Sequence, residues 1–113
     1  MSAFKTLNSH DSERVADLLI NAVETISTYW CGSIKPLHEG DLYDIDQEDW
    51  SWEVTDRETN KTVTVTRANL ESGLKLFKKT VPHQFRLWMN EDDDAIAADC
   101  FFQCVVLGDV VYG

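Results

Sequence analysis

The chain has 113 residues, 43% of them hydrophobic, with 20 acidic and 10 basic side chains and a formal net charge of −10. That length gives one domain spanning residues 1–113, and the apolar content supports a packed core rather than disorder. The carboxylate excess argues against direct nucleic-acid binding, which needs clustered Lys and Arg on phosphates, and no apolar run reaches membrane-spanning length.

The charge is uneven. Residues 1–56 hold 12 acids and 3 bases, residues 57–86 hold 2 acids and 7 bases, and residues 87–113 hold 6 acids and no base. Residues 1–7 lack the charged region and apolar run of a secretory leader, so the expected compartment is cytoplasmic. In that setting Cys31, Cys100 and Cys104 are expected as free thiols.

Residues 1–8 read as a lead-in. Asp11 or Ser12 is placed to cap a first helix running to about Ser27, with Val15, Leu18, Leu19, Ala22, Val23 and Ile26 at helical spacing. Its other face carries Glu13, Asp17 and Glu24, which is either a solvated face or a binding face. Residues 28–34 read as a strand, with Gly32 marking a bulge and Pro36 the end. Residues 38–49 follow without a regular pattern, and six of the twelve are acidic: Glu39, Asp41, Asp44, Asp46, Glu48 and Asp49. Long irregular segments are often functional. The alternation resembles a calcium loop but lacks its glycine and final glutamate, so the alternative is a solvated loop with Leu42, Tyr43 and Ile45 tucked beneath it.

Residues 50–55 and 61–66 alternate apolar and polar around a turn-rich link. They predict a β-hairpin with Trp50, Trp52 and Val54 facing Val63 and Val65. Thr66 or Asn69 can cap a second helix ending near Thr80, basic in its last turns through Lys75, Lys78 and Lys79. Gly73 inside it predicts close contact with a bulky neighbour such as a hairpin tryptophan. Pro82 opens a short third helix with Phe85, Trp88 and Met89 inward. Residues 93–107 then form a helix that is apolar nearly all round, with Asp92 to Asp94 at its start and Gly108 at its end. Such a helix must be covered on several sides, so Ile96→Asp and Phe101→Asp are both expected to unfold the protein. Residues 109–113 are β-prone and read as an edge strand. The expected fold is α+β: a three- to four-stranded antiparallel sheet with helices packed around a buried C-terminal helix.

No catalytic fingerprint is present: no Gly-x-Ser-x-Gly, phosphate loop or dinucleotide motif. Cys100 and Cys104 share a helical face, but without Cys-x-x-Cys or histidine at ligand spacing they read as core rather than metal ligands. The expectation is a protein that is not an enzyme and needs no cofactor or metal. Exposed carboxylates on the loop (Glu39, Asp41, Asp44, Asp46, Glu48, Asp49) and on the first helix (Glu13, Asp17, Glu24) would form a partner-binding surface. A basic host protein or ribonucleoprotein complex fits such a surface. Two alternatives stand beside it: a sponge or sensor for a small anionic ligand such as a nucleotide, with the tryptophans lining a pocket and the basic helix touching the ligand, and a homodimer or larger assembly joined through the C-terminal helix.

Several stretches carry a resemblance: Asn69-Leu70-Glu71-Ser72-Gly73-Leu74, Asn90-Glu91-Asp92-Asp93-Asp94-Ala95, Asp99-Cys100-Phe101-Phe102-Gln103, the terminal Leu107-Gly108-Asp109-Val110-Val111-Tyr112-Gly113, and Tyr29-Trp30 after an amphipathic helix. Over about residues 12–34 and 69–113 the chain resembles a group of small acidic proteins encoded by bacteriophages and prophages. The resemblance carries over no functional residue. It implies a phage accessory role, of the kind played by anti-CRISPR and anti-restriction inhibitors that act by binding.

Overall fold

The structure is a computed structural model that describes residues 9–90 and 95–112. The elements are α1 (Ser9–Asn21), a π-helical turn (Ala22–Ile26), a 3-10 turn (Ser27–Tyr29), β1 (Cys31–Pro36), β2 (Ser51–Asp56), β3 (Thr62–Thr66), α2 (Arg67–Thr80), α3 (Pro82–Met89) and α4 (Ala95–Leu107). The strands form one antiparallel sheet in the order β1-β2-β3, so the protein is α+β. The expected capping by Asp92 to Asp94, the side chains of Asp11 and Ser12, and residues 1–8 lie outside the described residues.

α4 is the centre of the packing. Every residue from Ala97 to Val106 is buried, as its nearly uniform apolarity requires. Phe102 meets Trp30 at 5.3 Å and Trp52 at 6.3 Å on the sheet side, while Phe101 meets Phe77 of α2 at 5.8 Å. Gly108, at φ +75°, ends the helix in the left-handed region that glycine enters without penalty. Ile96 departs from expectation: it sits in the first turn of α4 and is 55% exposed, so Ile96→Asp should be tolerated, whereas Phe101 is fully buried.

The hairpin pairs as its alternation predicts, Trp52 opposite Val65 and Val54 opposite Val63. The register shift between Cys31 and Ser33 places a bulge at Gly32. Thr66 and Asn69 form the reciprocal cap of α2: Asn69 Oδ1 accepts from the Thr66 backbone N–H at 2.8 Å and its hydroxyl at 2.9 Å. Gly73 is tight against Val105 of α4, not against a tryptophan. A Cβ there would lie 2.9 Å from Val105 Cα, so the small residue lets the two helix backbones approach.

Three further expectations are corrected. The first strand begins at Cys31 rather than Thr28, because Ser27, Tyr29 and Trp30 are held by side-chain bonds to α4 and close the helical run in a tightening turn. Met89 is 52% exposed rather than inward. Residues 109–112 add no strand to the sheet. Instead the Val111 and Tyr112 backbone N–H groups both donate to Gln103 Oε1 at 2.8 Å, which satisfies the tail through a side chain of α4.

Candidate functional site

The segment between Pro36 and Ser51 leaves the sheet at one end of β2 and is held from below. His38 is buried, with Nδ1 3.0 Å from the Ser51 carbonyl and Nε2 2.9 Å from the Asp41 carbonyl. The Asp41 contact is the main cause of a pKa raised above the ordinary histidine value; burial opposes it, while the Ser51 carbonyl and the carboxylates of Asp49 and Asp44 reinforce it. Trp50 and Trp52 each donate their indole N–H to the Leu42 carbonyl, at 2.8 and 3.0 Å. Ile45 is buried, Leu42 and Tyr43 are half-buried, and Tyr43 meets Trp52 edge-on at 5.7 Å. These anchors fold the apolar residues under and turn the acids outward. Glu39, Asp41, Asp44, Asp46, Glu48 and Asp49 are all exposed.

Glu13, Asp17 and Glu24 are exposed as well. Glu24 and Asp41 come from the two separate acidic groups, yet both act on the Tyr43 hydroxyl; after burial, which is the largest cause, they raise its pKa. Glu24 of the π-helical turn is thus within electrostatic reach of Tyr43. Arg57 and Lys61 follow and precede the opposite ends of the hairpin strands, a strand length of roughly 17–20 Å from the acidic segment. Lys75, Lys78 and Lys79 are exposed on α2, with Lys78 over the Phe85 ring at 5.7 Å.

A second constellation was not foreseen. Asp99 is buried in α4 and accepts four hydrogen bonds: Ser27 Oγ (2.7 Å) and Trp30 Nε1 (2.8 Å) on Oδ1, Tyr29 OH (2.7 Å) and Gln103 Nε2 (2.9 Å) on Oδ2. All four partners donate, which suits a carboxylate with every lone-pair position used. Burial and the neighbouring Asp99 carboxylate raise the Tyr29 pKa well above the ordinary tyrosine value. Tyr112 continues the cluster, stacking on Trp30 at 5.9 Å and donating its hydroxyl to Asp56 Oδ2 at 2.9 Å. Asp56 is itself buried at the end of β2. A cavity of about 370 Å³ opens over this cluster, lined by Ile26, Tyr29 and Tyr112, by Ile96, Asp99 and Cys100 of α4, and by Val110.

The tryptophans do not line that cavity. Trp30, Trp50, Trp52 and Trp88 are all core residues, and none of the residues lining the cavity is basic. This cavity is therefore not the pocket of tryptophans and α2 lysines expected for an anionic ligand. The cysteines are free and buried. Burial raises the Cys31 thiol to about 11 and the Cys104 thiol to about 12, which suppresses the nucleophilic thiolate. Among the described residues no three His, Cys, Asp or Glu side chains are grouped to hold a metal ion, and no helix is long and apolar enough to cross a membrane.

Sequence alone could have flagged Asp99 and Gln103. They are the polar residues in an otherwise apolar helix and lie four apart, on one face. Their partners at Ser27, Tyr29 and Trp30 carry no such mark. No family model, curated protein or solved structure matches this chain.

Proposed function

We propose that this protein is a non-enzymatic accessory protein of the phage type, acting in the host cytoplasm as an inhibitor of a host defence or nucleic-acid-handling complex. Its target is a basic protein or ribonucleoprotein, engaged through the acidic surface of residues 38–49 together with Glu13, Asp17 and Glu24. The observation that supports this reading is that Glu39, Asp41, Asp44, Asp46, Glu48 and Asp49 are all exposed on a segment anchored from below through the Leu42 carbonyl, and that Glu13, Asp17 and Glu24 are exposed as well. Carboxylates fixed on a folded support can occupy a groove that otherwise holds phosphates, and their field speeds encounter with a basic partner.

The test is capture from host lysate with the wild-type chain and with a variant in which the six acids of the 38–49 segment are replaced by Asn and Gln. Binding should fall with added salt, because exposed charges are screened over about 8–10 Å, and should be lost in the variant. Capture of the same partner by the neutralised chain, unaffected by salt, would remove the basis for this reading.

A further inference from the structure

The sheet has two outer strands, and they differ in how they meet solvent. β1 carries a bulge at Gly32, an exposed Lys35 and, in Pro36, a last residue with no N–H. Bulges, charges and prolines of this kind keep a further strand from pairing with an edge. β3 has none of them. Thr62–Thr66 is built only of threonine and valine, and its register with β2 is unbroken.

The hydrogen-bond phase shows which backbone groups of β3 lie on the open side. The Asp56 N–H donates to the Lys61 carbonyl at 2.8 Å, which makes Asp56 and Lys61 a hydrogen-bonded pair. Such pairs alternate with non-bonded ones along an antiparallel ladder. Val63 and Val65 therefore turn their backbone groups toward β2, while Thr62, Thr64 and Thr66 turn theirs away from it. Two other bonds agree with this phase. Ser51, which faces Thr66, uses its carbonyl on the opposite side of β2, where it accepts from the Leu37 N–H at 2.9 Å. The Thr66 N–H goes to Asn69 Oδ1 at 2.8 Å. The outward N–H and C=O of Thr62 and Thr64 have no partner among the described residues.

This edge is complementary to itself. When two copies lie antiparallel about a two-fold axis at Val63, Thr62 of each faces Thr64 of the other, and each of these pairs can exchange both N–H···O bonds. An axis at Thr64 would instead call on the Thr66 N–H, which already caps α2, and an axis at Thr62 would call on Asn60, which has φ +59° in the turn. In the Val63 register the two half-buried Val63 side chains form the closer, non-bonded kind of pair on the inner face. The exposed Thr62 and Thr64 side chains pair on the outer face, an arrangement favourable in sheets. No charged residue lies within β3, so no like charges are brought directly opposite each other.

We propose that β3 is a dimerisation edge, at which a second copy of this chain adds its own β3 antiparallel about Val63 to continue the sheet. The strand is short, so the dimer is reversible and belongs to the weaker class of interfaces. The copies carry the same net charge, and added salt should therefore not weaken it.

The experiment is sedimentation velocity of the full chain from micromolar to millimolar concentration, on wild type and on two variants that differ only at position 62. Wild type should pass reversibly from monomer to dimer. Thr62→Lys with Thr64→Lys sets like charges opposite each other in both intermolecular pairs. Thr62→Glu with Thr64→Lys sets opposite charges in the same pairs, and in both variants the lysine at 64 stands beside Glu53 of its own chain. The first should dimerise at least about tenfold more weakly than the second, since each pair contributes up to about 1 kcal/mol with its sign reversed between them. Circular dichroism confirms that both are folded. None of the acids of residues 38–49 lies on β3, so the variant neutralised there should dimerise at least as tightly as wild type, and failure of the acidic-surface reading would leave this result standing. The proposal is overturned if wild type stays monomeric at millimolar concentration, if the doubly lysine-substituted chain dimerises as tightly as wild type, or if the oppositely charged variant dimerises no more tightly than the like-charged one.

Discussion

Replacing Asp99 by alanine would leave four donors facing an empty site, and the structure sets how much each one costs. Ser27 and Trp30 are fully buried, and Asp99 Oδ1 is the partner of both the Ser27 hydroxyl and the Trp30 indole N–H. A buried donor stranded without a partner costs about 1–3 kcal/mol, so these two together cost roughly 2–6 kcal/mol. The other two donors have escapes. Tyr29 is 43% exposed and its hydroxyl can turn to water, and Gln103 Nε2 keeps the Tyr112 carbonyl at 2.9 Å. Removing a buried carboxylate also relieves its desolvation, which offsets part of the loss, so Asp99→Ala should lose about 3 kcal/mol, a large share of the ~5–15 kcal/mol typical of a domain. Asp99→Asn keeps an oxygen for Ser27 and Trp30 but sets its amide N–H against the Gln103 donor, and it should lose about half as much. Urea unfolding followed by tryptophan fluorescence measures both, since Trp30 bonds Asp99 directly. An Asp99→Ala loss below about 1 kcal/mol, or an Asn variant less stable than the Ala variant, would refute the account of Asp99 as the acceptor that ties the 27–30 turn to α4.

Three further outcomes are expected. Phe101→Asp should fail to fold, since it buries a charge at a fully enclosed position between α4 and α2, whereas Ile96→Asp should fold with a midpoint close to wild type; circular dichroism on the two variants decides this. Gly73→Ala gains about 1 kcal/mol of helix propensity but forces a methyl against the Val105 backbone. Overpacking of that kind costs about 1–3 kcal/mol, so thermal unfolding should show a net loss, and a stabilised variant would contradict the close helix approach. Tyr29 has its folded-state pKa raised, by burial and then by Asp99. Its contribution is present below the unfolded tyrosine pKa of about 10 and is lost as pH rises above it, because the unfolded chain then releases its proton first. Stability measured from pH about 9 to 11 should therefore fall more steeply for wild type than for Tyr29→Phe.

Local pattern carried most of the elements. The alternation around Trp52, Val54, Val63 and Val65 specified a hairpin because period-two burial follows directly from strand geometry. The apolar stretch of α4 announced a buried helix, since a helix without a polar face has no stable place at a surface. Gly32 was legible as the mark of a bulge and Gly108 for the left-handed backbone it adopts. Side-chain pairings across the fold were not legible. Nothing local to Ser27, Tyr29 and Trp30 says that they converge on a carboxylate seventy positions later, nor that Gln103 satisfies the backbone of the terminal residues and so keeps them out of the sheet.

The amino-acid sequence by itself determined the α+β class, the central helix, the hairpin and the segregation of charge along the chain, because each follows from periodicity or composition within a few turns or strands. Only the tertiary structure decided how Leu42 and Ile45 fold under the acidic segment, that Asp99 is saturated by donors from a distant turn, and that two tyrosines stand beside it at a cavity with no basic residue in its lining. Those properties depend on distances between residues far apart in the chain. Such distances are set by packing, where each contact is a compromise among all its neighbours rather than a preference of the residue itself.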